Sequence, residues 1–125
     1  SDGAIVEGNF IGTDRTGNIN VGNRASGINV DGTENSIIRG NVVSGTSGVG
    51  ILLSGSGSTG NTLVANFIGT NATGSGAIPN AIGISIQSGA ANNIIGGTSV
   101  SSRNLISGNQ GPGLWSEEAS TLVQG

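Results

Sequence analysis

Seven carboxylates and four guanidinium groups are the side chains in this 125-residue sequence best equipped for acid–base or ionic chemistry. Histidine and cysteine are absent, which removes the commonest general base, the commonest metal ligands and any disulfide. The acids are Asp2, Glu7, Asp14, Asp31, Glu34, Glu117 and Glu118; the bases are Arg15, Arg24, Arg39 and Arg103. Proton abstraction from an acidic substrate would need carboxylates to hold a cation or the substrate, with an Arg or Lys as base. Asp31, Glu34 and Arg39 fall around one turn and form the one grouping of that kind. Asp14, with Asn18 or Asn20, offers oxygen ligands of the type calcium takes, although one carboxylate is few for a tight site. The Gly-Gly-x-Gly-x-Asp calcium repeat is absent, and no other cofactor is implied. Glu7 and Arg39 read as a surface pair across neighbouring strands, a contact usually worth only about 0.2–1 kcal/mol.

The elements that would position these groups are short. Glycine supplies 25 residues and 34% of the chain is hydrophobic, in small clusters rich in Ile and Val separated by Gly, Asn and Ser. That punctuation belongs to many short strands, and no long stretch carries helical spacing. The four arginines are scattered and three aromatics are present, so no basic, stacking surface for nucleic acid exists. No apolar run approaches the length of a membrane-spanning helix. Without an initiator Met or a signal peptide, the sequence reads as a mature form or an excised segment.

Self-similarity organises the chain. Asn9-Phe10-Ile11-Gly12-Thr13 recurs letter for letter as Asn66-Phe67-Ile68-Gly69-Thr70, with looser copies at Asn41-Val42-Val43-Ser44-Gly45 and Asn104-Leu105-Ile106-Ser107-Gly108. Strands opening at Gly27, Gly50, Gly83 and Gly113 alternate apolar and polar residues, so Ile28 with Val30, Ile51 with Leu53, and Ile84 with Ile86 share one face, and Leu114 joins them. A second set, before each Asn motif, contributes Val6, Ile38, Leu63, Ile95 and Val123; a third contributes Ile11, Val43, Ile68 and Ile106. Strand lengths hold while the connections vary, with loops at 14–26, 71–82 and 98–103. Fixed strands and variable loops are the mark of a solenoid. Three short strands per turn, each paired with its equivalent in the next, predict an all-β, single-stranded parallel β-helix of about four coils, rising roughly 4.8 Å per coil.

The repeated Asn-Phe-Ile-Gly-Thr, the Gly-x-Ile-x-Ile/Leu strands and the Asn-rich turn resemble right-handed parallel β-helix repeats of the pectate-lyase-like superfamily. They are most similar to repeat arrays of large secreted or surface proteins of bacteria. The resemblance spans nearly the whole chain and implies one domain over residues 1–125, cut from a longer array and uncapped at both ends. It also implies a ladder of stacked side-chain amides at one corner, formed by Asn9, Asn41, Asn66 and Asn104; the insert ending at Arg103 leaves an offset open at the last of these.

Alternation also sets what faces outward. Phe10 and Phe67 point away from the core, and the inserts that follow are expected to fold over them, Ile19 or Val21 onto Phe10 and Ile78 or Pro79 onto Phe67. Left open, these rings, with Trp115, would offer faces for sugar. Ile5, Ile37, Ile94 and Leu122, with Thr62 among them, form an outward aliphatic column, expected to be covered by a loop or, otherwise, to contact a partner. The expected function is a non-catalytic structural or adhesive module, secreted or at the cell surface, touching polysaccharide through its loops and able to associate end to end or side by side. A fragment of a polysaccharide-active lyase or hydrolase is the alternative. Ice binding is third, since Thr13 and Thr70 recur, but the column Asn29, Leu52, Ser85, Trp115 is irregular.

Overall fold

The computed structural model describes residues 3–117 and 121–124; Asp2 and Glu118 lie outside the described residues. Strands β1 (Ile5–Glu7), β2 (Phe10–Ile11) and β3 (Ile28–Asp31) make one circuit of the chain. Strands β4 (Ile37–Arg39), β5 (Val42–Val43) and β6 (Val49–Ser54) repeat it, followed by β7 (Thr62–Val64), β8 (Phe67–Ile68) and β9 (Ile82–Gln87). Then come β10 (Ile94–Ile95), β11 (Leu105–Ile106), β12 (Leu114–Ser116) and β13 (Leu122–Val123). Every third strand pairs in parallel, giving sheet one (β1-β4-β7-β10-β13), sheet two (β2-β5-β8-β11) and sheet three (β3-β6-β9-β12). The architecture is a right-handed parallel β-helix, the hand that parallel crossovers adopt. Among the described residues no helix is long and apolar enough to cross a membrane.

Register places like over like. Val6, Ile38, Leu63, Ile95 and Val123 stack in sheet one. Ile28, Ile51, Ile84 and Leu114 stack in sheet three, beside Val30, Leu53 and Ile86. Ile11, Val43, Ile68 and Ile106 do so in sheet two. The central members of all three columns are buried and meet along the axis in one core. Each such side chain contributes roughly 1.5–3 kcal/mol on burial, which is how a chain without disulfides holds this shape.

At the start of the sheet-three strands, Gly27, Gly50 and Gly83 are required by close approach. A β-carbon on Gly50 would stand 2.6 Å from the Gly83 carbonyl oxygen and 2.9 Å from Asn80 Nδ2. The turn from sheet one to sheet two needs a different property. Gly8, Gly40 and Ala65 each take positive φ (68°, 66° and 58°) and swing the chain around in one residue.

The connections after sheet two alternate. Long inserts follow β2 and β8, and short links follow β5 and β11. The second insert ends one residue earlier than the sequence suggests, because Ile82 already belongs to β9.

Candidate functional site

Amide side chains fill the corners. At the corner entering sheet two, Asn9 Nδ2 donates to Asn41 Oδ1 (3.1 Å), Asn41 Nδ2 to Asn66 Oδ1 (3.1 Å), and Asn66 Nδ2 to Asn104 Oδ1 (3.0 Å). The backbone N–H of each donor donates to the same oxygen. Asn104 is in register, so no offset occurs. The 98–103 insert is taken up as an outward bulge with a 3-10 turn at Val100–Ser102.

Two further ladders occupy the other corners, and the sequence reading missed both. Asn61 Nδ2 donates to Asn93 Oδ1 at 3.0 Å, and Asn80 Nδ2 to Asn109 Oδ1 at 3.1 Å. Their signal was present: Asn61 and Asn93 stand directly before strands β7 and β10, and Asn80 lies late in its insert as Asn23 does in the first. Ser36 and Thr46 interrupt these columns, and their hydroxyls are buried without a hydrogen-bond partner. In all three corners the amides are tied up in structural bonds, which is what buried polar groups require.

The acidic candidates separate. Arg39 Nε donates to Glu7 Oε2 at 2.6 Å, as their facing register in β1 and β4 allows. Asp31 ends β3 in sheet three, and Glu34 sits in the turn beyond it, both exposed. Among the described residues no group of three or more His, Cys, Asp or Glu is gathered closely enough to hold a metal ion.

Asp14 serves its own turn. Its Oδ1 accepts from the Thr16 hydroxyl (2.7 Å) and from the backbone N–H of Thr16, Asn18 and Ile19. The Thr16 hydroxyl bond holds its carboxyl below the usual value, opposed by desolvation and helped by the backbone bonds from Asn18, Ile19 and Thr16. Asn71 Oδ1 does the same work in the second insert, accepting from Thr73 Oγ1, Ser75 N–H and Gly76 N–H. The two inserts are therefore one structure built twice from Thr-Asp/Asn-x-Thr-Gly, each closed by an antiparallel bridge, Thr13 to Asn20 and Thr70 to Ala77. Thr13 and Thr70 donate their hydroxyls to the carbonyl of the next residue.

That turn chemistry corrects the expected cover over Phe10. Ile19 and Val21 are 61% and 68% exposed, so neither lies over the ring. Glycines make the approach instead. A β-carbon on Gly17 would lie 3.4 Å from Phe10 Cε1 and 2.6 Å from the Ala72 β-carbon; one on Gly74 would lie 3.7 Å from Phe67 Cε2 and 2.7 Å from Leu105 Cδ2. Ile78 is buried. Ala72 N–H donates to the Gly17 carbonyl at 2.9 Å, linking the two inserts across the short-linked turn between them. Each ring is thus held at its edge, and Phe10 stays 45% exposed.

Beside these rings the corner opens into a groove. Two adjoining depressions, about 380 and 260 Å³, share Gly40 and Ala65. The floor is the small-residue column Gly8, Gly40, Ala65. One wall is the outward column Glu7, Arg39, Val64 of sheet one; the other is Phe10, Val42, Phe67 of sheet two, with Ala72 beside it. At one end stands the 98–103 insert, where Ala65 N–H donates to the Ser102 carbonyl (3.3 Å) and Ser101 lines the groove. Trp115 lies elsewhere, half-exposed on sheet three beside Ser85. The aliphatic column of sheet one is not covered as expected: Ile5, Ile94 and Leu122 are exposed, and Ile37 and Thr62 half-buried. No protein-family model, curated protein or solved structure matches this chain.

Proposed function

We propose that this chain is a non-catalytic structural and adhesive repeat module of a secreted or cell-surface protein, contacting carbohydrate through the groove between sheets one and two. The kinship it implies is with parallel β-helix repeats of the pectate-lyase-like superfamily, on the strength of the Asn-Phe-Ile-Gly-Thr repeats. The observation that carries the reading is the groove itself. It sets two aromatic rings opposite a carboxylate–guanidinium pair over a floor with no side chain larger than a methyl. Apolar ring faces suit the C–H faces of sugars, and convergent polar groups suit their hydroxyls. Catalysis draws no comparable support: Arg39 pairs with Glu7, and Asp31 and Glu34 lie exposed at the end of β3 and in the turn after it.

The test has two arms. The protein is incubated with insoluble polysaccharides and sedimented with them, and in parallel with pectin and alginate while new unsaturated or reducing ends are followed. Co-sedimentation without turnover is expected. Turnover that disappears in Asp31→Ala would replace this reading with the polysaccharide-active enzyme.

A further inference from the structure

The groove's spacing, charge and closed end say more about its occupant. We infer that it takes the end of a neutral, extended, β-linked glycan lying along the coil axis, with its last sugar against Ser101. This rests on the carbohydrate reading above and deepens it.

Spacing comes first. Phe10 pairs with Val42 and Val42 with Phe67, so the rings sit two strand spacings apart, about 9–10 Å. In an extended β-linked pyranose chain, alternate sugars present the same face to one side. Two rings at that separation meet equivalent faces of every second sugar, and Val42, only 5% exposed between them, adds no contact to the intervening one.

Charge comes second. Glu7 and Arg39 neutralise one another at 2.6 Å, so this wall carries hydrogen-bonding atoms without net charge. Both side chains stay about half exposed and keep free carboxylate lone pairs and guanidinium N–H groups for hydroxyls. A polyuronate would bring a carboxylate up to Glu7 and would have to compete for Arg39; a neutral sugar would not.

Closure comes third. The floor repeats one small residue per strand spacing from Gly8 to Ala65, and the next position is taken by the insert that carries Ser101. From Gly8 to Ala65 the described floor spans two strand spacings, about 9–10 Å, before the insert. A groove blocked by an insert receives the end of a chain there rather than the middle of a polymer.

The experiment titrates the protein by calorimetry with cello-, xylo- and chito-oligosaccharides of increasing length and with trigalacturonate. At least one neutral series is expected to bind and to lose at least tenfold in affinity when a bulky label is placed on one of its two ends, with trigalacturonate at least tenfold weaker. Phe10→Ala and Phe67→Ala should each weaken the trisaccharide about three- to tenfold, as loss of one ring contact does, while Trp115→Ala changes nothing. Ser101→Trp fills the groove from an exposed position and should abolish binding with the circular dichroism spectrum intact; it serves also if Phe67→Ala misfolds. Binding of trigalacturonate equal to the neutral sugars, affinity indifferent to a label on either end, or indifference to Phe10→Ala and Ser101→Trp would overturn the inference and leave the adhesive reading standing. Absence of binding to every saccharide in both this titration and the sedimentation assay would remove both.

Discussion

Replacing Asn66 by Ala tests how much of the stability lies in the corners. Its carboxamide oxygen accepts from Asn41 N–H (3.0 Å) and Asn41 Nδ2 (3.1 Å), and its Nδ2 donates to the Ile38 carbonyl (3.0 Å) and Asn104 Oδ1 (3.0 Å). The residue is 0% exposed. Alanine leaves the Asn41 N–H buried without a partner and takes one bond each from Asn41 Nδ2, the Ile38 carbonyl and Asn104 Oδ1. Each such loss costs about 1–3 kcal/mol, so the substitution should cost about 3–5 kcal/mol, a large part of the ~5–15 kcal/mol typical of a whole domain. Asn9→Ala is the control. Asn9 is exposed at the end of the same ladder, water can replace its partners, and its loss should stay below about 1.5 kcal/mol. Urea unfolding followed by circular dichroism reads both. An Asn66→Ala protein no less stable than Asn9→Ala would mean that the amide ladder decorates the stack without holding it.

Three further outcomes follow from the same geometry. Thr46→Asn should stabilise by about 1 kcal/mol, because the amide would continue the column of Asn80 and Asn109 where a buried hydroxyl now lacks a partner; destabilisation in thermal melts would show that the corner has no room for it. Gly50→Ala should cost about 1–3 kcal/mol, since a β-carbon would press on the Gly83 carbonyl; a melting temperature unchanged from the parent would mean the strands separate easily there. The first insert should loosen in acid. The folded-state value of Asp14 is lowered, so its contribution is full above the unfolded value near 3.8 and fades as pH falls through the folded one. Amide exchange at Asn18 and Ile19 should rise there, and Asp14→Asn, which copies Asn71, should keep the turn and remove the pH dependence. Retained pH dependence in Asp14→Asn would assign it to another group.

The stack was legible because its signal is periodic. Ile51 over Ile84 and Leu63 over Ile95 follow from alternation and repeat alone, since slipping one residue would turn every aliphatic to water. The second and third amide ladders escaped because Ser36 and Thr46 break their columns, and a broken column of amides looks like ordinary turn composition. Hydrophobicity points to Ile19 or Val21 as the cover over Phe10, whereas Gly17 makes the close approach there, as Gly74 does at Phe67, residues chosen for what they lack. The groove was invisible for the same reason. Its floor is Gly8, Gly40 and Ala65, and its walls join residues from columns that the sequence lists separately. Asp31, Glu34 and Arg39 are close in sequence, but register gives Arg39 to Glu7 on the preceding strand of the sheet.

The corner groove as the contact surface is tested most directly by amide chemical-shift mapping during titration with a neutral trisaccharide such as chitotriose, cellotriose or xylotriose. The expected result is a contiguous set of shifts at Gly8, Gly40, Ala65 and Ser101, saturating together, with Asn29, Ser85 and Trp115 on sheet three unmoved. Shifts confined to sheet three or to the exposed tips of the inserts, with those four amides silent, would contradict it.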